Sequence, residues 1–346
     1  MGHNDGIGRR QLLAGTGGAA ALLAIDAVIP ERAMAEHRGA GLIDVHHHIR
    51  PPGAPEGFAR LTAGWTPQGA IAEMDRSGVA TGIAYPGPIL AHVEAKADLA
   101  RRFNEFGAGL MRAHPTRFGL FASLPLPDVN ATLAELTYSY DQLRADGVGV
   151  STSYGDHWLG DRRFWPVYEA LDKREAVVFV HPHDAACCAS ASMTYLEPSM
   201  DGSWIDWPMN TARTIFSLIT SGTIRRFPRI RWIFAHGGGV MPLLIERLAN
   251  FENWSAVGPD RLSQLYPNGI AAEFRTLYFE CAQAWAKPNL GALRALVPDS
   301  HILFGSDYPF FSMELGARSL ARAGLPRKSV KAVGRGNAQS LLKRWA

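Results

Sequence analysis

Short apolar runs rich in β-branched and aromatic residues recur along the chain from residue 42. They are LIDVHHHI (42–49), VATGIAYPG (79–87), FGLFASLP (118–125), VGVSTS (148–153), AVVFVHPH (176–183), IRWIFAHG (230–237), RTLYFECA (275–282) and HILFGSDYP (301–309). Most are nearly continuous rather than alternating, as strands of a parallel sheet buried on both faces are. Amphipathic stretches lie between them: Asp98 to Met111, Asp161 to Arg174, Met209 to Arg226 before Phe227-Pro228, and Pro326 to Trp345. A helix stops before such an X-Pro step. Eight strands alternating with helices predict a single α/β domain, a (β/α)8 TIM barrel. The competing open, doubly wound sheet carries a glycine-rich phosphate loop after its first strand, and LIDVHHHIRPPGAPEG contains no G-x-G-x-x-G.

In such a barrel the strand ends at the C-terminal face carry the chemistry. Strand 1 ends in three consecutive histidines. Side chains alternate along a strand, so His46 and His48 share one face and His47 takes the other. Strand 5 ends in His181, strand 6 in His236 and strand 8 in Asp307. Imidazole and carboxylate groups converging on one mouth suit a divalent ion: zinc first, with manganese or iron as alternatives.

Composition narrows the partners. The chain has 346 residues, 47% hydrophobic and 19% charged, with net charge +3 and no basic run, which excludes a nucleic-acid binder. No apolar stretch in the body is long enough to span a membrane. Cys187, Cys188 and Cys281 form neither a disulfide framework nor a CxxC zinc site.

Residues 1–35 read differently. Arg9-Arg10 precede a mild apolar run from Leu12 to Ile29, followed by Ala33-Met34-Ala35. This is the layout of an export signal of the twin-arginine type, with cleavage after Ala35 and delivery to the periplasm. That route carries folded proteins, which suits an enzyme that loads a metal before export. The catalytic domain is then 36–346.

Taken in order, DVHHH, VFVHP, FAHGGG and FGSDYPF resemble the amidohydrolase superfamily. More narrowly they are similar to its decarboxylase-rich branch, which includes amino-carboxymuconate-semialdehyde, γ-resorcylate and 6-methylsalicylate decarboxylases. The resemblance covers roughly residues 41–345. It implies that His46, His48, His181 and Asp307 bind the metal, and that His236 handles water or a proton beside it. Arg247, in PLLIER, matches a substrate-carboxylate arginine that some members lend across a dimer interface, so a homodimer or higher oligomer is expected. Strand 4 lacks the lysine that bridges two metals in many amidohydrolases, which favours one metal per chain. No arginine follows strand 1 in the place of a second carboxylate clamp; Arg50 and Arg60 are the substitutes at hand.

Two reactions fit. One is non-oxidative decarboxylation of a small aromatic or unsaturated carboxylic acid, 6-methylsalicylate-like, with Asp307 or His236 as the acid. The other is hydrolysis of a lactone or amide. A binding protein without turnover is a third reading, opposed by the complete His236/Asp307 pair. The loop after strand 5 is long and carries Tyr195, Trp204 and Trp207, either as a lid over a planar substrate or as its own packing core. His157 and His183 are further candidate contacts. Glu280 either orients a ligand histidine or forms a barrel ion pair, and Arg213 is read as structural. Gly237–Gly239 are expected to let the backbone approach the metal site.

Overall fold

The eight expected strands are present and lie side by side in chain order, all parallel. They are β1 (Leu42–His48), β2 (Val79–Tyr85), β3 (Phe118–Ser123), β4 (Gly147–Ser151), β5 (Val177–His181), β6 (Arg231–Phe234), β7 (Tyr278–Glu280) and β8 (Ile302–Leu303). The computed structural model describes residues 41–92, 96–186, 202–250 and 259–346. The expected leader at residues 1–35, Cys187, Cys188, Tyr195 and most of the loop after β5 lie outside them. Among the described residues, no helix is long and apolar enough to cross a membrane.

The sheet closes on itself. Val45 N–H donates to Phe304 O (3.0 Å), Asp307 N–H to His46 O (2.9 Å) and His48 N–H to Tyr308 O (2.7 Å), so β1 is stitched to β8 and the segment after it. The interior is filled by Ile43, Val45, Ile83, Tyr85, Phe121, Phe179, Ile233 and Leu303, with Ala338 and Leu342 of the C-terminal segment packed against them. A barrel with all strands satisfied has no exposed edge. Its strands are buried on both faces, which is why the runs read as continuous.

Helices occupy the crossovers. Those at Lys96–Ala113 and Arg162–Lys173 match the amphipathic pattern, the second opening with a 3-10 turn at Arg162–Phe164. One expectation needs correction. The stretch 209–226 is two helices, Asp206–Thr220 and Thr223–Arg226, because Gly222 (φ 77°) turns the chain between them. The predicted stop before Phe227-Pro228 holds. The C-terminal stretch is helical from Arg327 to Leu341, with a π segment at Ala332–Gly336 inside it, and closes with a 3-10 turn at Lys343–Trp345. The run after β4 ends in a short antiparallel hairpin, Ser153–Tyr154 with His157–Trp158, that periodicity did not predict.

Candidate active site

The parity of the three histidines is as expected, but the face they take depends on a bulge. Ile43 and Val45 point into the barrel. Strict alternation from them would send His47 inward and turn His46 and His48 out. The β1–β2 register slips between Asp44 and His47, where the partners advance only from Gly82 to Ala84. The extra residue resets the phase. His46 therefore lies over Phe179 of the interior, ring centroids 5.1 Å apart. His47 packs outward on Phe118 and Tyr308. Asp44 fixes the bulge, its carboxylate accepting from His46 N–H (3.0 Å), Ser306 N–H (3.0 Å) and the Ser306 hydroxyl (2.5 Å).

His46, His48, His181 and Asp307 are all buried, and one ligand atom from each lies within 4.8 Å of the others. His46 Nε2 is 3.0 Å from His48 Nε2, and Asp307 Oδ1 is 3.2 Å and 3.1 Å from the two. Donors about 2.1 Å from a shared ion would stand roughly 3.0–3.4 Å apart. Two outer bonds fix which nitrogens point inward. His46 Nδ1 is 2.7 Å from Glu280 Oε1, and His181 Nδ1 is 2.6 Å from the Pro182 carbonyl. Each neutral ring then donates its Nδ1–H outward and turns an Nε2 lone pair to the centre.

Electrostatics agree with a cation at that centre. Burial opposes charge on His46, but the carboxylates of Glu280 and Asp307 outweigh it and raise its pKa to about 10. Burial lowers His48, and burial with the neighbouring imidazoles holds His181 well below the usual range. Burial works against the Asp307 charge too, yet His46 and His48 hold its carboxyl well below the ordinary value. Two buried carboxylates, Glu280 and Asp307, draw positive charge onto His46, and a divalent cation at the centre would take the place of that proton. The donor set thus fits a divalent metal.

Glu280 resolves in favour of orientation. Besides His46 it accepts His236 N–H at Oε1 (2.8 Å) and Ala282 N–H at Oε2 (2.7 Å). Gly305 makes room for it, since a Cβ there would stand 2.0 Å from Oε2. Glu280→Gln would set an amide NH2 against a backbone N–H with no space to turn away. Metal affinity is expected to fall about 10–100-fold, read by chelator competition; unchanged affinity would rule out the orienting role.

His236 follows β6 with φ 54°, and Asp307 has φ 64°. Strained backbone of this kind gathers at functional sites. The His236 ring lies 5.1 Å from His46 and 5.7 Å from His181, with Nδ1 3.2 Å from the Ala282 carbonyl. Trp207 is drawn to the site, 5.8 Å from the His181 ring, its indole N–H donating to Asp184.

The other candidate contacts take the following positions. Trp204 is 68% exposed. Arg247 is exposed on the helix Met241–Ala249. His157 is held in the hairpin by Asp161 (2.9 Å) and Arg163 (2.7 Å). His183 Nε2 bonds Ser153 and fastens that hairpin to β5. Arg213 donates to Asn210, a structural role, and Arg50 reaches the Ala63 carbonyl. The Gly237–Gly239 run approaches Ala284, Phe279 and Pro208 rather than the ligands, so it packs the wall behind the site.

The sequence reading passed over an aromatic floor around His48: Phe310 at 5.2 Å, Tyr85 at 6.0 Å and Phe58 at 6.4 Å. Tyr85 ends β2, so the strand-end rule would have found it had it been applied to residues other than ligands.

The model of the amidohydrolase family matches residues 43–344. The chain belongs to the amidohydrolase family. Its relatives include decarboxylase yanB of Aspergillus niger, 37% identical over 289 residues, 78% of this chain and 77% of that protein. The 6-methylsalicylic acid decarboxylase acuB of Aspergillus aculeatus is 35% identical, over 77% of this chain and 84% of that one. Among solved structures, the dihydroxybenzoic acid decarboxylase of Polaromonas, with manganese and the inhibitor 2-nitroresorcinol bound, has the same fold. It superposes with a TM-score of 0.71 at 22% identity, over 88% of this chain and 97% of that one. The His46/His48/His181/Asp307 group of this amidohydrolase thus sits at the barrel mouth that the fold uses for catalysis.

Proposed function

We propose that this amidohydrolase is a metal-dependent, non-oxidative decarboxylase of a small aromatic carboxylic acid of the 6-methylsalicylate kind. The ligand set alone serves hydrolysis and decarboxylation equally. The observation that carries the choice is that relatives 35–37% identical over three quarters of the chain are named decarboxylases. The aromatic floor of Tyr85, Phe58 and Phe310 beside the ligands supports a planar substrate. His46, His48, His181 and Asp307 would hold one divalent ion, zinc by donor type; manganese in the Polaromonas neighbour keeps that ion a candidate.

A divalent ion in this group supplies a Lewis acid for the substrate's oxygens. The chain's own residues supply the proton. One proton is added at the ring carbon that bears the carboxylate. The carbon–carbon bond then breaks, its electron pair returns to the ring and CO2 leaves. His236 has Nδ1 engaged at Ala282, which leaves Nε2 for the substrate side. Asp307 Oδ2 makes no hydrogen bond among the described residues. Either group can deliver the proton, Asp307 only after taking one up against the hold of His46 and His48 on its charge, and the aromatic wall keeps water from competing for it. We further propose export through the 1–35 leader, supported by the Arg9-Arg10 pair and the Ala33-Met34-Ala35 site.

The test is CO2 release from 6-methylsalicylate and 2,6-dihydroxybenzoate by protein loaded with zinc or manganese. Stoichiometric CO2 and phenol are expected. Ring opening of a lactone with no CO2 from either acid would sink the decarboxylase reading.

A further inference from the structure

Position, burial and an unmatched hydroxyl single out Tyr85. It is the last residue of β2, at the end of the barrel where the ligands stand. Its ring lies 6.0 Å from His48, 6.3 Å from His181 and 5.6 Å from Phe179. Gly149 of β4 seats it there: a Cβ at that position would stand 2.2 Å from the edge of the Tyr85 ring. The place that a strand-4 side chain would fill is taken by this phenol instead.

The residue is 2% exposed, and its hydroxyl makes no hydrogen bond among the described residues while keeping some accessible surface of its own. Nearby buried tyrosines differ. Tyr154 Oη accepts from Ser151 N–H, and Tyr168 O–H donates to the Leu159 carbonyl. A phenol O–H that has no protein partner and still reaches accessible space beside a metal-binding group is available to a ligand. A phenol is a neutral O–H donor at neutral pH.

We propose that Tyr85 is a substrate-binding residue whose hydroxyl donates to an anionic oxygen, carboxylate or phenolate, of the aromatic acid held at His46, His48, His181 and Asp307. The inference rests on the decarboxylase reading and adds to it the group that orients the ring. β2 and β6 lie opposite each other in the eight-strand order. Tyr85 therefore stands across the mouth from His236. A donor on one side fixes the oxygen-bearing edge, and the acid on the other side meets the reacting carbon.

Tyr85→Phe removes one oxygen and keeps the ring over Gly149. The metal-loaded variant is compared with wild type for its Kd for 2-nitroresorcinol and for KM and kcat with the hydroxybenzoic acid that wild type turns over. Losing a neutral donor to a charged oxygen is expected to raise both Kd and KM about tenfold or more. Metal content and Tm should stay unchanged and kcat should change less. A ring that only packs predicts no change in Kd or KM, and that result overturns the proposal. Wild type that binds 2-nitroresorcinol but releases no CO2 rejects the decarboxylase reading, and the Kd comparison then decides Tyr85 alone. Wild type that neither binds the probe nor releases CO2 overturns both.

Discussion

His181→Ala is expected to lose bound metal and activity together, whereas His47→Ala keeps both. His181 is one of four converging donors, and its Nε2 is aimed by the Nδ1 bond to the Pro182 carbonyl. Losing an outer partner costs roughly 10–100-fold in metal affinity, so losing a ligand outright should cost on the order of 1,000-fold or more. Decarboxylation should fall to background with it. His47 is the control from the same tripeptide. Neither of its ring nitrogens has a hydrogen-bond partner; Asp44, the nearest carboxylate, stands 3.8 Å away. Its ring packs outward against Phe118 and Tyr308. Truncation leaves a cavity costing about 2–4 kcal/mol of stability, visible as a lower Tm, while metal per chain should remain at the wild-type value. Metal analysis of the two purified variants separates them. Metal lost from His47→Ala and kept in His181→Ala would overturn the assignment of faces along β1.

His236→Asn is expected to keep the metal and lose most of the rate. His236 occupies the left-handed region at φ 54°, which asparagine tolerates and alanine does not. Asparagine therefore tests the chemistry without forcing the backbone. Its amide can still meet the Ala282 carbonyl, but it cannot carry the proton. Loss of a general acid should lower kcat by about 100- to 10,000-fold, with metal content unchanged because His236 lies outside the four-ligand group. A kcat within a few-fold of wild type would assign the proton to Asp307, whose Oδ2 is the other available atom.

How much of this the sequence held can be argued residue by residue. The eight strands were legible because a closed parallel barrel buries both faces, which leaves long apolar runs with no polar alternation to confuse them. The ligands were legible because each ends such a run, where this architecture gathers chemistry. Helix boundaries were less so. Gly222 splits one expected helix, and a π segment widens the C-terminal one, in ways that amphipathic periodicity over 209–226 and 326–345 does not register. The roles given to Arg247, Trp204 and His157 came from resemblance or loop position. The structure puts Arg247 at the surface, a position that lending across a dimer interface also requires, Trp204 at the surface and His157 between Asp161 and Arg163.

Glu280 and Tyr85 show the remaining limit. From the sequence, Glu280 had two equal readings, and only the contact with His46, 234 residues away, chooses between them. Tyr85 ends β2 and was within reach of the strand-end rule, but that its ring lies over Gly149 of a different strand is decided by the tertiary structure. The order of apolar runs by itself determined the barrel, and the period of two by itself determined that His46 and His48 act together without His47. Which face the pair takes was decided by the bulge between Asp44 and His47, held by the bonds of Asp44 to Ser306 across the closing seam. A pattern along one strand fixes relative parity; absolute phase is set by the neighbours to which that strand is bonded.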